Sequence, residues 1–281
     1  MRLTSSNQLF THAPQPPLFS IQPERRSRQE WQLDVSWATS EEQVRQAQRL
    51  RYRVFALEMG ARLAPPPGTA PGLDADRFDP FCDHLMVHAW QRGRRAQTTL
   101  VGTYRLLSPA AAARAGGLYM DTEFDLGPLA SLRAGAVELG RSCVDPDWRG
   151  GAVIMALWTA LGEYMRTHGS QTMIGCASIP LGSDGTGAAG VWEHLRHTHL
   201  APPQWQVTPS IALPLDHAPA RPVTCDLPRA VAPPLIKGYL RCGARLLGPP
   251  ALDVDFHTAD LPMMLRVADL APRYRRHFLD L

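Results

Sequence analysis

The sequence predicts an α/β protein with a mixed sheet flanked by helices. Patterns typical of strands and of amphipathic helices alternate along the chain, as they do in layered α/β proteins. Of the 281 residues, 44% are hydrophobic and 20% are charged, which is typical of a globular protein with a sizeable core. Residues 1–30 are rich in Pro, Gln, Ser and Arg without periodicity. We therefore expect a disordered tail over residues 1–30 and a single domain over residues 31–281.

The predicted elements follow in a regular order. A first strand begins at Leu33, and Thr39 or Ser40 can cap a helix that continues through R-Y-R-V-F-A-L-E. A proline-rich loop over residues 64–72 follows that helix. The other predicted strands are residues 84–90, 99–107, 136–144, 173–178 and 260–267, and the other predicted helices are residues 152–167, 190–197 and 234–247.

Composition argues against several functional classes. The net charge of +3 is too small to indicate nucleic-acid binding, and the chain carries no extended ladder of basic and aromatic residues. The five cysteines are odd in number and form no C-x-x-C pair, which is typical of a protein from a reducing compartment. The apolar runs are far shorter than a membrane span. We expect a cytoplasmic protein, at most peripheral at the inner face of the cytoplasmic membrane.

The stretch V-E-L-G-R-S-C-V-D-P-D-W-R-G-G, residues 137–151, carries the strongest functional pattern. A strand holding Glu138 and Arg141 ends near Pro146, and a loop ending at Gly151 leads into an apolar helix. This arrangement combines a carboxylate with free backbone amides at a helix N-terminus. The carboxylate can accept a proton from an amine, and the amides can hold a thioester oxygen or a phosphate. The stretch therefore predicts an acyl-transfer site.

Further residues form a series with this stretch. They are Arg51 and Phe55, one helical turn apart, Asp76 and Asp79 in D-A-D-R-F-D, and Arg105 in V-G-T-Y-R-L-L. In order and spacing the series resembles the acyl-homoserine-lactone synthases of the GNAT superfamily, which take an acyl chain from acyl carrier protein. An aromatic residue expected shortly after the R-x-x-x-F pair is absent, since Met59-Gly60-Ala61 stand there.

Several longer stretches differ from those of the signal synthases. They are R-Y-R-V-F, C-D-H-L-M-V, the 138–151 stretch, P-P-L-I-K-G-Y-L-R-C-G-A-R and F-H-T-A-D-L-P-M-M-L. From about Leu33 to Leu281 the chain resembles the ornithine N-alpha-acyltransferases. The resemblance implies the GNAT fold and transfer of a 3-hydroxyacyl chain from acyl carrier protein to the α-amine of L-ornithine, giving lyso-ornithine lipid. It implies no bound cofactor and no metal, since the donor is 3-hydroxyacyl-phosphopantetheine on the carrier protein.

The chemistry of amide formation suggests roles for these residues. We expect Glu138, with Arg141, to act in catalysis, Glu138 accepting the proton of the amine directly or through a water. Backbone amides near Cys143 and Val144 can hold the thioester oxygen. The turn Arg149-Gly150-Gly151 can hold the pantetheine phosphate. It lacks the later glycines of the GNAT R-x-x-G-x-G/A pattern, which favours a carrier-protein donor with one phosphodiester over acyl-CoA.

Several alternatives stay open. Asp76 and Asp79 can bind the amines of ornithine, or pair with Arg51 and Arg105 to shape the acceptor pocket. The arginines, including Arg141, can touch substrate or form an inner ion network, and Glu138 can be a purely structural partner of Arg141. Other functions are an acyl-homoserine-lactone-type signal synthase, an N-acyltransferase for another amino acid, or an inactive GNAT-like module that only binds carrier protein or lipid. The intact Glu138 and Arg141 argue against the last.

Three weaker motifs have simpler explanations. The G-x-G-x-x-G over residues 185–190 is separated from the preceding strand, which argues against dinucleotide binding. His194, His197 and His199 lack partners with zinc spacing and fit a surface helix end. Cys143 has no histidine in a recognisable motif, so a buried strand residue is favoured over a nucleophile.

Two basic segments suggest partners. A predicted helix with Lys237, Arg241 and Arg245 can dock the acidic carrier protein. The C-terminal segment interleaves basic and aromatic side chains and can contact an anionic membrane surface. The residues of that segment are Arg273, Tyr274, Arg275, Arg276, His277 and Phe278.

Overall fold

The computed structural model describes residues 31–91, 93–95, 97–181, 186–215 and 232–279. The predicted disordered tail, residues 1–30, lies outside the described residues. No helix within these ranges is both long and apolar enough to cross a bilayer.

The described chain forms one large mixed sheet with helices packed against it. The strands of the described chain, in both sheets, are β1 (Trp31–Trp37), β2 (Asp83–Gln91), β3 (Thr98–Leu107), β4 (Phe124–Asp125), β5 (Ala136–Val144), β6 (Thr172–Pro180), β7 (Thr208–Pro209), β8 (Arg245–Leu246), β9 (Ala251–Asp253) and β10 (Thr258–Arg266). Its helices are α1 (Glu41–Tyr52), α2 (Pro109–Ala115), α3 (Ala130–Arg133), α4 (Ala152–Thr167), α5 (Thr186–His199), α6 (Pro234–Cys242) and α7 (Pro272–Leu279).

The order of strands in the large sheet is β1-β2-β3-β5-β6-β10-β8, and β9 also pairs with β10. The β5–β6 pair is parallel and the other pairs of this sheet are antiparallel. The small β4–β7 pair is separate. The predicted fold class, a mixed and mostly antiparallel sheet flanked by helices, is confirmed.

Helix α1 begins where the sequence predicts. Ser40 has extended backbone angles, and its hydroxyl accepts a hydrogen bond from the Gln43 N–H at 3.3 Å, so it is the N-cap. Glu41 and Glu42 occupy the first turn, where the helix dipole favours negative charge. The helix continues beyond Tyr52 as a π-helical segment, Arg53–Glu58.

The sheet opens between β5 and β6. Their parallel register runs from Ala136↔Thr172 to Glu138↔Ile174 and ends there, although β6 continues along β10 to Pro180. At the point of separation the chains are in close approach, since a Cβ on Gly175 would overlap the carbonyl oxygen of Leu139. The second half of β5 therefore has a free edge toward β6.

The other edge of β5 carries a β-bulge. Arg105 and Thr103 of β3 pair with Gly140 and Cys143, so β5 has one residue more than its partner in this interval. Arg141 lies in the bulge with a φ of 50°, an unusual conformation for a residue other than glycine. The bulge turns this part of β5 toward the opening.

Two predicted features of the C-terminal half are wrong in detail. The predicted helix over residues 234–247 ends at Cys242, because Gly243 takes a φ of 114° and a Cβ there would overlap the Asp269 carbonyl oxygen. Arg245 consequently lies in β8, not on the helix with Lys237 and Arg241.

The C-terminal basic and aromatic segment forms α7, in which Arg273 and Arg276 are exposed and other side chains pack against the protein, and contact with a membrane stays a prediction. Tyr274 and Phe278 are half-buried, and Phe278 packs edge-to-face against Trp158 of α4 at 6.4 Å. Arg275 donates to the carbonyl oxygen of Ala268 at 2.9 Å. The side chain of His277 lies outside the described residues.

Candidate active site

A cavity of about 540 Å³ occupies the opening between β5 and β6. Its wall includes Phe55 from the π-helical segment, Arg105 from β3, Glu138 and Arg141 from β5, and Asp260 from β10. The volume lies within the usual range of small-molecule sites. The cavity therefore brings together residues predicted as site residues from separate parts of the sequence.

Glu138 is buried in the wall of this cavity, with 4% of its surface exposed. Its Oε2 accepts a hydrogen bond from the Tyr119 N–H and its Oε1 one from the Met120 N–H, both at 2.7 Å. Each oxygen keeps a second lone pair for another donor. Burial raises the pKa of Glu138 to about 7, although the two N–H groups favour the charged form. Its carboxylate can thus exchange a proton at neutral pH.

Arg141 lies near other carboxylates. Its guanidinium group is 3.5 Å from Asp74 and 3.4 Å from Asp76. It also lies over the rings of Tyr119, at 5.3 Å, and Phe256, at 4.8 Å. The structural alternative, in which Glu138 serves only as the ion-pair partner of Arg141, is thus not the arrangement that is observed.

A buried ion network lies behind the cavity wall. Arg51, which is 1% exposed, donates to Asp74 at 2.7 Å and to Asp79 at 2.6 Å. Arg105 reaches Asp76 at 2.7 Å and Asp79 at 2.8 Å. Burial alone would raise the pKa of Asp79, but the guanidinium groups of Arg51 and Arg105 outweigh burial and hold it well below its usual range.

This network bears on the open alternatives for the acidic loop. Asp76 and Asp79 are paired with the arginines, and of the network Arg105 and Arg141 reach the cavity wall. Asp74 belongs to the network as well, although no sequence pattern pointed to it. A direct role of Asp76 or Asp79 with substrate amines stays a prediction.

The residues predicted to contact the acyl donor lie at the start of α4 and the end of β5. Cys143, Val144, Arg149 and Gly151 line the cavity, and Gly150 lies in the turn between them. The guanidinium group of Arg149 forms a hydrogen-bonded ion pair with Glu58, in which Nη2 lies 2.8 Å from Oε2. A phosphate at this turn would therefore rely on backbone N–H groups more than on that side chain.

Cys143 is an unsuitable nucleophile. It is 4% exposed, and burial raises the pKa of its thiol to about 12. The reactive form of cysteine is the thiolate, which such a thiol hardly populates at neutral pH. This favours direct transfer over a covalent enzyme intermediate.

An acidic cluster at the cavity was missed by the sequence analysis. Glu123, Cys176 and Asp260 place their polar atoms within 4.8 Å of one another. Burial and the charge of Asp260 raise the pKa of Glu123 to about 7, and burial and the charge of Asp253 raise the pKa of Asp260 to about 6. Within the described ranges neither carboxylate forms an ion pair with a basic side chain. The sequence could have indicated Asp260, because it is a charged residue inside an apolar strand pattern. No sequence pattern indicates Glu123.

The three histidines of the weaker motifs do not line the cavity, whereas Cys143 does. His197 is exposed on α5 and lies 3.1 Å from Glu193 of the same helix. His199 contacts the hydroxyl of its neighbour Thr198 at 2.7 Å. Helix α5 begins at Thr186, and residues 182–185, which include the first glycine of the G-x-G-x-x-G pattern, lie outside the described residues.

Comparison with known proteins gives a consistent family. Residues 50–159 match the model of the acetyltransferase (GNAT) domain. The chain is 36% identical over 250 residues to an L-ornithine N(alpha)-acyltransferase of Rhizobium meliloti, covering 88% of this chain and 84% of that protein. It is 36% identical over 253 residues to the enzyme of that name from Agrobacterium fabrum, covering 88% and 85%. Among solved structures, an N-acyl amino acid synthase from uncultured soil microbes aligns with a TM-score of 0.48 at 12% identity, covering 85% of this chain and 94% of that chain.

Proposed function

Because this chain belongs to the family of L-ornithine N(alpha)-acyltransferases, with a GNAT domain, we propose that it transfers a 3-hydroxyacyl chain from acyl carrier protein to the α-amine of L-ornithine. The product is lyso-ornithine lipid. The observation that carries the proposal is the position of Glu138, a buried carboxylate with a pKa of about 7 in the wall of the cavity at the sheet opening. A group with that pKa matches the proton transfer that amide formation requires.

The reaction needs a neutral amine and a stabilised oxyanion. Glu138 takes one proton from the α-ammonium group, directly or through a water, and the freed amine attacks the thioester carbonyl. Backbone N–H groups near Cys143 and Val144 hold the negative charge that develops on the carbonyl oxygen. As the C–S bond breaks, the amide nitrogen loses its second proton and the phosphopantetheine sulfur gains one. The net products are the amide, the free thiol and one proton released from Glu138 to solvent.

The charge of the cavity supports a cationic acceptor. L-Ornithine carries a second ammonium group at the end of its side chain. Asp260 lines the cavity and Glu123 lies directly beside it. Within the described ranges neither carboxylate forms an ion pair, whereas Asp76 and Asp79 are already paired with arginine. We assign the side-chain ammonium group to the Glu123–Asp260 end of the cavity and the α-amine to the Glu138 end.

The turn before α4 supports a carrier-protein donor. Ala152 and Ile154 occupy positions where coenzyme-A-binding GNAT loops carry glycine, so the loop offers less room for a pyrophosphate than for one phosphodiester. Arg241 of α6 and Arg245 of β8 are exposed and can attract an acidic carrier protein.

The proposal is tested by supplying purified protein with defined donors and acceptors. We expect monoacylated ornithine, detected by mass spectrometry, when L-ornithine is combined with 3-hydroxyacyl carrier protein, and much less product from the matching acyl-CoA. Expression in cells that lack ornithine lipids should give the same compound. Acylation of S-adenosylmethionine with ornithine left untouched would overturn the proposal in favour of a signal synthase.

A further inference from the structure

A second, smaller cavity of about 90 Å³ borders the first, and the two have part of their walls in common. Its wall is mainly apolar, with side chains of α4, β6 and β10 such as Leu161, Met173 and Met263. The two cavities share Tyr104, Trp158 and Tyr239 as lining residues. An acyl chain whose thioester lies beside β5 has this apolar space within reach, and it must pass these aromatic side chains.

Three hydroxyl groups meet at the junction of the cavities. The hydroxyl oxygens of Tyr104 and Tyr239 are 2.6 Å apart, and the Ser142 hydroxyl lies beside both in the wall of the larger cavity, near enough to affect the pKa of each tyrosine. Burial raises the pKa of Tyr104 to about 12, so its hydroxyl stays protonated at neutral pH. We call these three residues the hydroxyl trio.

The trio has more lone pairs that can accept hydrogen bonds than hydrogens that it can donate. Each hydroxyl group has one hydrogen to donate and two lone pairs to accept. The bond between the two tyrosines uses one hydrogen and one lone pair, so the three hydroxyl groups keep more acceptor lone pairs than hydrogens. The trio can therefore accept a hydrogen bond from a ligand without losing any of its own bonds.

Trp158 adds an unpartnered donor to the same junction. Its indole Nε1 is buried and has no hydrogen-bond partner in the described part of the chain. Its ring stacks on Tyr239 with centroids 5.3 Å apart. A buried N–H without an acceptor is costly, so this atom points to a ligand oxygen at the junction.

We propose that the hydroxyl trio, with Trp158, is the subsite that selects a hydroxyl group at C3 of the acyl chain. A C3 hydroxyl has a hydrogen for the trio and oxygen lone pairs for the Trp158 N–H. A C3 carbonyl can only accept, and an unsubstituted chain offers neither group. Ser142 lies two residues before Val144, whose N–H points away from β3 and is proposed to hold the thioester oxygen. C3 is two bonds from the thioester carbon. The inference rests on the proposed function and identifies the donor that the site takes.

The test compares three carrier-protein donors of equal chain length, carrying 3-hydroxy, 3-oxo and unsubstituted acyl groups, with L-ornithine as acceptor. We expect the wild type to prefer the 3-hydroxy donor in kcat/KM. The Tyr239→Phe variant should lose roughly three- to tenfold of that preference, the range of one ordinary hydrogen bond, and a Tyr104→Phe/Tyr239→Phe double variant should lose more. The matched control is Tyr164→Phe, which removes a hydroxyl bonded to Asp83 outside both cavities and should leave the preference unchanged.

Each outcome decides the inference. Equal use of the three donors by the wild type overturns it even if the tyrosine variants do not fold, and leaves ornithine acylation standing. An unchanged preference in folded Tyr104→Phe/Tyr239→Phe protein overturns it as well. Absence of ornithine acylation with every donor removes the proposed function, and the subsite falls with it.

Discussion

Among the single residues of the site, Glu138 makes contacts that hold the backbone and lies in an environment that suits proton transfer. Its two oxygens accept the N–H groups of Tyr119 and Met120, so the carboxylate holds the chain at that turn. The same carboxylate is buried in the cavity wall, which is why its pKa is raised to about 7. A purely structural carboxylate and a base would respond differently to pH, and this difference can be measured.

We expect Glu138→Gln to lower kcat/KM by about 10²–10⁴, the range of general base catalysis. A base acts when it is ionised, so wild-type kcat at saturating ornithine, which is insensitive to changes in ornithine binding, should rise as pH increases through about 7. The variant's residual activity should lack this rise. The glutamine keeps one acceptor oxygen, so stability should fall by about 1–3 kcal/mol and not abolish folding.

The control for Glu138→Gln is Glu163→Gln, which makes the same change at an exposed position of α4 and should leave activity and its pH profile unchanged. Thermal unfolding monitors the fold of each variant. A folded Glu138→Gln protein that retained wild-type activity with the same pH profile would contradict the assignment of Glu138 as base.

The buried ion network predicts a large effect on stability. Asp79 accepts hydrogen bonds from Arg51, Arg105 and Gln48, and a neutral Asn would leave two buried guanidinium groups without that charge. We expect Asp79→Asn to lower the free energy of unfolding by roughly 3–5 kcal/mol, measured by urea denaturation. Asp34→Asn, which breaks an exposed pair with Arg95, should cost less than about 1 kcal/mol. Equal effects of the two substitutions would show that the network does not stabilise the fold.

At the scale of secondary-structure elements, most of the architecture could be predicted from the sequence. Strand β5 and helix α4 have the predicted bounds, because the apolar patterns end at residues that set the limits, Pro146 on one side and Gly151 on the other. The helix predicted over residues 234–247 was too long because the overlap that fixes Gly243 comes from Asp269, far along the chain. A contact between residues so far apart in the chain cannot be predicted from the local sequence pattern.

The opening between β5 and β6 also depends on one long-range contact. A Cβ on Gly175 would overlap the Leu139 carbonyl oxygen, which is backbone and cannot move aside alone. We expect Gly175→Ala to force the strands apart, to lower stability by about 1–3 kcal/mol and to reduce activity more than stability alone explains. Circular dichroism melts and kcat/KM measure the two effects.

A second glycine serves as the control for Gly175→Ala. Gly187 lies exposed in α5, and a Cβ there would meet no atom within 4 Å. Gly187→Ala should therefore be neutral or slightly stabilising, by less than about 1 kcal/mol. If both alanine variants behaved alike, the close approach at Gly175 would have no role in shaping the opening.

At the scale of the whole molecule, the cavity joins residues that no local pattern connects. The sequence and its resemblance identified the series around Glu138, Arg141 and Arg105, and the structure brings these three to one cavity. Glu123 and Asp260 were not predicted as a pair because they lie in different parts of the chain and come close together only after folding. In the part of the chain that the structure describes, neither carboxylate forms an ion pair with an arginine, although Arg141 is near enough to lower the pKa of Asp260.

The carboxylates of Glu123 and Asp260 predict which acceptor the enzyme prefers. L-Norvaline has the carbon skeleton of L-ornithine but lacks the side-chain ammonium group, so it measures that group alone. We expect wild-type protein to prefer ornithine strongly, and Asp260→Asn to reduce the ratio of kcat/KM for ornithine over norvaline by roughly 10- to 100-fold, as for a lost hydrogen bond to a charged group. Glu123→Gln should act in the same direction.

The pH dependence of the same ratio provides an independent measurement. The carboxylates attract the ammonium group only when ionised, so KM for ornithine should fall as pH rises through about 6 to 7, while KM for norvaline stays flat. Asp255→Asn, on the exposed turn after β9, is the matched control and should change neither ratio nor profile. A folded Asp260→Asn protein with an unchanged preference for ornithine would exclude this cluster as the acceptor subsite, because no other property of norvaline distinguishes the two substrates there.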